Sequence, residues 1–172
     1  MFRRASSTTT FSLFITAFAF SVLAMSSNAS AGDRIVNGNQ VAAVSNQVME
    51  RLDKADMKRG ERLFKGRCRG CHTFEEGDKD KTGPNLWNVV GRKLGEKDGF
   101  KYSNDMKTMN AANTHWGYEE LDKFLTKPMK FVPSTKMTFG GLRKGRDRAD
   151  VIAFLRSQST EPQPLPSSWY GS

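Results

Sequence analysis

Cys68-Arg69-Gly70-Cys71-His72 constrains this chain more than any other stretch. Two thiols three positions apart, followed at once by an imidazole, suit covalent capture of a porphyrin. Each thiol can add across one haem vinyl group, and the adjacent His can reach the iron. The whole chain holds 2 Cys and 2 His. Both thiols and one imidazole therefore sit within these five residues, and cysteine serves neither packing nor disulfides elsewhere.

Other uses of a C-x-x-C pair make different demands. A thioredoxin-like dithiol needs a βαβ pattern around it, which this sequence lacks. A zinc site needs further Cys or His ligands, and only His115 remains. A disulfide across two intervening residues would close a very tight loop and contribute little.

The N-terminus bears on compartment. Arg3 and Arg4 precede an apolar run from Phe11 to Met25, and Ala29-Ser30-Ala31 offers a small-residue cleavage site. Residues 1–31 are therefore read as a signal peptide, cut after Ala31 so that Gly32 begins the mature chain. The run is about 15 residues, shorter than the roughly 20 of a spanning helix, so stable membrane insertion is not expected. A retained anchor is the alternative. Ala-Ser-Ser-Thr after Arg3-Arg4 departs from a twin-arginine pattern, and haem attachment after transit favours an unfolded passenger. The expected destination is a bacterial periplasm, by the general secretory route.

Beyond the leader lies one domain of about 140 residues, too small for a large core of its own. A covalently held haem would supply much of the missing apolar interior. The chain carries a net charge of +9, and losing Arg3 and Arg4 leaves it strongly basic. Export argues against nucleic acid as the partner, and the charges do not gather on one amphipathic helix. An acidic protein partner is the better reading.

Residues 32–55 form an N-terminal extension, with Asp33 to Gln40 reading as loop. Val44, Val48 and Leu52 recur every four residues and predict a helix over 45–54. Asp56 is a good N-cap for a helix carrying Gly60, Leu63 and Phe64. Gly and Phe four apart give a flat spot beside a large ring, which invites a close helix crossing. Further helices are expected over 104–109, over 118–126 with Pro128 as the stop, and over 146–157. In the last, Val151, Ile152, Phe154 and Leu155 form a narrow stripe. No run alternates well enough for a strand. Residues 158–172, with Pro162, Pro164 and Pro166, form a Pro-rich tail expected to be extended or disordered.

Taken together, residues 56–157 resemble the class I c-type cytochromes, of the mitochondrial cytochrome c and bacterial cytochrome c2 type. Cys68-x-x-Cys71-His72, Lys81-Thr82-Gly83-Pro84-Asn85-Leu86, Gly91-Arg92 and Pro133-Ser134-Thr135-Lys136-Met137-Thr138-Phe139 carry the likeness. The resemblance implies an all-α fold of about four to five helices around one haem c, crossing at Gly60, Phe64 and Phe154. It implies electron transfer rather than catalysis. His72 would be the proximal iron ligand, with the Pro84 carbonyl fixing its tautomer. Met137 would be the sixth ligand, with His115 or an open site as alternatives. Arg92, Tyr102, Ser103, Trp116 and Thr135 match positions that hydrogen-bond or border the haem propionates. Trp116 and Tyr102 can also be read as plain core aromatics, and His115 as a solvent-facing residue.

Two departures stand out. Phe124 replaces a Tyr hydroxyl that relatives often place near the ligand Met, and Met106 replaces an Asn near an internal water. A three-residue enlargement falls around Lys107 to Asn113. The haem surroundings are expected to be drier as a result. The family's layout also implies a basic docking face for acidic redox partners, made by Arg67, Lys79, Lys81, Lys130, Lys136, Arg143 and Lys144. The leading function is a monomeric periplasmic carrier between a quinol-oxidising complex or dehydrogenase and a terminal oxidase or other acceptor. A dedicated cytochrome subunit, tethered through residues 32–55 and the tail, is the first alternative. A peroxidase-like or ligand-sensing haem protein is the second.

Overall fold

The computed structural model describes residues 38–165, with side chains from Asn46 onward. The expected leader and residues 166–172 lie outside the described residues. Among the described residues six helices run α1 (Gly38–Asp53), α2 (Met57–Arg67), α3 (Asn104–Ala111), α4 (Tyr118–Thr126), α5 (Pro128–Phe131) and α6 (Gly145–Ser157). Among the described residues the only β pairing is an isolated antiparallel bridge between Lys93 and His115. The all-α expectation holds.

The fold is organised on the crossing of α2 and α6. Asp56 caps α2 by accepting from the Arg59 amide at 3.0 Å, which leaves Gly60 and Phe64 facing inward. A Cβ on Gly60 would overlap the Asp150 carbonyl oxygen and lie 3.1 Å from the Phe154 Cβ. Only the missing side chain lets the two backbones come this close. Phe64, 0% exposed, packs its ring 5.2 Å from Phe74 and 5.4 Å from Phe154, and Phe74 and Phe154 are themselves 5.4 Å apart. Asp150 is buried at the same crossing, where it accepts from the Asp56 amide at 2.9 Å and pairs with Arg59.

Three elements differ from the sequence reading. α1 begins at Gly38 rather than Ser45, so Gly38 to Gln40 are helix and not loop. It packs on α6 and α4 with Val48 and Leu52 buried in the common core. Pro128 does stop α4, but it also starts α5, because the first helical position needs no N–H donor. Residues 158–163, expected to be extended or disordered, carry no helix or strand and are fastened to the domain by hydrogen bonds. The Asn88 amide donates to the Gln158 carbonyl at 2.9 Å, and Tyr118 Oη and Arg156 Nε donate to the Gln163 carbonyl at 2.9 and 2.8 Å.

α6 also buries more than its apolar stripe. Arg148 makes a two-pronged contact with Asp122 of α4, Nε to Oδ1 at 2.8 Å and Nη2 to Oδ2 at 3.1 Å. Its Nη1 donates to the Leu142 carbonyl at 2.9 Å, and Arg51 of α1 approaches Asp122 at 3.5 Å. A buried charge is tolerable only with such full pairing.

Candidate functional site

α2 ends at Arg67 with Cys68 as its C-cap, and the next turn completes the motif. The Cys71 and His72 amides donate to the Cys68 carbonyl at 3.0 and 2.9 Å, curling the five residues into one compact turn. Both thiols are free, Cys68 half-buried and Cys71 exposed. Burial pushes the Cys68 thiol up to about 11, against the pull of the Arg67 guanidinium. A thiol held in its protonated form is the opposite of an activated redox dithiol. Among the described residues no group of three or more His, Cys, Asp and Glu side chains is placed to hold a metal ion.

His72 is half-buried, and its Nδ1 lies 2.7 Å from the Pro84 carbonyl oxygen. A carbonyl only accepts, so Nδ1 carries the proton and Nε2 presents its lone pair. Burial lowers the imidazole's proton affinity, which keeps it neutral and able to ligate. Gly83 makes room for the ring: a Cβ there would fall within 2.7 Å of both Nδ1 and Nε2. Its amide donates to the Cys71 carbonyl at 2.8 Å, locking the 81–85 turn against the motif.

These residues open onto a cavity of about 330 Å³. All ten residues singled out from the sequence line it: Cys68, Cys71, His72, Pro84, Arg92, Tyr102, Ser103, Trp116, Thr135 and Met137. They come from separate loops and helices that only the fold brings together. Arg92 directs Nη1 to the Trp87 carbonyl at 2.9 Å and Nη2 to the Asn85 carbonyl at 3.1 Å, so its charge is fixed by backbone. Ser103 caps α3, accepting from the Met106 amide at 3.4 Å. Thr135 Oγ1 accepts from the Met137 amide at 3.2 Å. Trp116, 7% exposed, packs 4.9 Å from Phe124.

The lining includes residues the sequence did not mark. Leu86, Val89, Leu121, Leu125, Val151 and Leu155 supply apolar wall; Leu86 stood out only as the end of the 81–86 motif, and Val151 and Leu155 only as part of a helical stripe. Phe124 and Met106 both line the cavity, each contributing apolar surface to it. His115 is exposed and absent from the lining, leaving His72 as the only imidazole there among the described residues.

Two thiols at a cavity edge, a neutral imidazole with a free lone pair and a thioether within an apolar wall are the donor set of a covalently bound haem. Residues 57–159 match the family described as Cytochrome c. This chain belongs to the cytochrome c family. It is 41% identical over 132 residues to a cytochrome c homolog of Bradyrhizobium diazoefficiens, covering 76% of this chain and 70% of that protein. It is 43% identical over 106 residues to a cytochrome c of Stellaria longipes, covering 62% and 95% of the two chains. A Ginkgo biloba cytochrome c is 42% identical over 106 residues, covering 62% and 91%. As a cytochrome c, the chain binds haem c covalently through Cys68 and Cys71 and is a mono-haem electron-transfer protein.

Proposed function

We propose that this cytochrome c is a monomeric periplasmic carrier whose haem iron is ligated by His72 and Met137. The observation carrying this reading is the convergence of the motif turn, the Arg92 loop, the Ser103 cap and the Thr135–Met137 loop on one cavity. Bound there, the haem supplies a one-electron couple. The protein's part is to hold His72 neutral, offer a soft thioether that favours the reduced state, and exclude water with Phe124 and Met106. Outer-sphere transfer needs only a haem edge near the surface and brief docking.

Arg67, Lys79, Lys81, Lys130, Lys136, Arg143 and Lys144 are all exposed and pair with no carboxylate among the described residues. Arg67 and Lys136 stand in the cavity lining itself. Unneutralised charge at that rim supports steering of an acidic partner. The leader-like pattern of residues 1–31 supports the periplasm. Free diffusion is favoured over a tethered subunit because Val48, Leu52 and the Gln163 carbonyl are engaged in the chain's own fold.

An optical spectrum of the ferric holoprotein tests the ligand set. A weak near-infrared charge-transfer band is expected, lost in Met137→Ala. A parent protein without that band would refute Met137 as an iron ligand.

A further inference from the structure

Haem attachment leaves one pair of contacts at the cavity rim unexplained. The Asp105 amide donates to Ser134 Oγ at 3.0 Å, and the Ser134 amide donates to an Asp105 carboxylate oxygen at 2.8 Å. Each residue is donor through its backbone and acceptor through its side chain. The exchange is that of a helix capping box, but it joins segments 29 residues apart. A third tie runs alongside it, with Lys136 Nζ donating to the Lys101 carbonyl at 2.8 Å. One segment lines the cavity through Tyr102, Ser103 and Met106, the other through Thr135 and Met137. Ser134 adjoins Thr135, whose Oγ1 accepts from the Met137 amide, so the tie at Ser134 lies one residue from the hydrogen bond that holds Met137.

We propose that Asp105 and Ser134 form a latch that keeps the Met137 loop closed, which makes them positioning residues for the Met137 thioether. The latch rests on Met137 being the iron ligand. Opening the loop breaks both bonds, one of them charge-assisted through the carboxylate. Water replaces much of what is lost, so removing one side chain raises the open population roughly tenfold, about 1.4 kcal/mol. An added ligand that binds only the open form then gains affinity by the same factor.

Imidazole titration of the ferric holoprotein reads this directly, followed by loss of the near-infrared band. Asp105→Ala and Ser134→Ala are each expected to bind imidazole roughly tenfold more tightly than the parent. Asp105→Asn and Ser134→Thr retain an acceptor oxygen and are expected to stay near the parent. Leu52→Ala, which weakens the core away from this loop, is expected to leave imidazole affinity unchanged. Parent-like binding by both alanine variants would overturn the latch. So would an equal gain in Leu52→Ala, because the effect would then be general loss of stability. A parent lacking the band overturns the Met137 assignment, and the latch with it.

Discussion

At the scale of single residues, the site depends on a side chain that is absent. Gly83 leaves the volume into which His72 places its ring, and the ring's Nδ1–H reaches the Pro84 carbonyl one residue further on. Gly83→Ala is expected to push the imidazole off that carbonyl, freeing its tautomer and misdirecting Nε2. Holoprotein yield should fall, and urea unfolding of what does load should show a loss of about 1–3 kcal/mol, the usual result of forcing a methyl into a packed site. Unchanged yield and midpoint would mean the turn relaxes around the methyl. The motif was plain in the sequence because its chemistry is local: three reactive side chains in five residues. The latch was not, because Asp105 and Ser134 are ordinary polar residues until the fold sets them side by side.

At the scale of elements, helix starts with a local chemical cause were legible. Asp56 as a cap and the 118–126 helix emerged as read. Those that depend on distant partners did not. Pro128 reads as a stop from one side and as a start from the other, and only the chain's path decides that both apply. Arg148 and Asp150 are charged residues beside an apolar stripe, and nothing in their local sequence marks them for burial. They are buried because Asp122, Arg51, Arg59 and the Asp56 amide come to meet them from other helices. α1 shows the same limit: periodicity at Val48 and Leu52 predicted a helix but not the surface it covers. Its docking makes a quantitative claim. Leu52→Ala is expected to cost about 2–5 kcal/mol in a single cooperative urea transition, as for a core leucine. A near-zero change would show α1 to be detachable from the domain.

For the whole molecule, charge is the property that a partner meets first. Lys79 and Lys130 are exposed, and neither ammonium group forms an ion pair among the described residues. Lys136, by contrast, also ties the Met137 loop. The double reversal Lys79→Glu with Lys130→Glu therefore tests steering without disturbing the site. Electron exchange with an acidic redox protein should slow roughly tenfold at low ionic strength. The difference should vanish at high salt, where screening over a few ångströms removes the attraction. Equal rates at low salt would place the docking surface elsewhere.

The crossing at Gly60 also sets an order of events. Its other half, Asp150 and Phe154, is made near the end of the chain, while both thiols come within about three helical turns of Gly60. Contacts so far apart in sequence form late, because a long loop must close before they reward it. Until α6 arrives, the Gly60 face of α2 lacks the partner it is built to meet. A haem joined to Cys68 and Cys71 before that crossing closes would be enclosed by the last helix to dock.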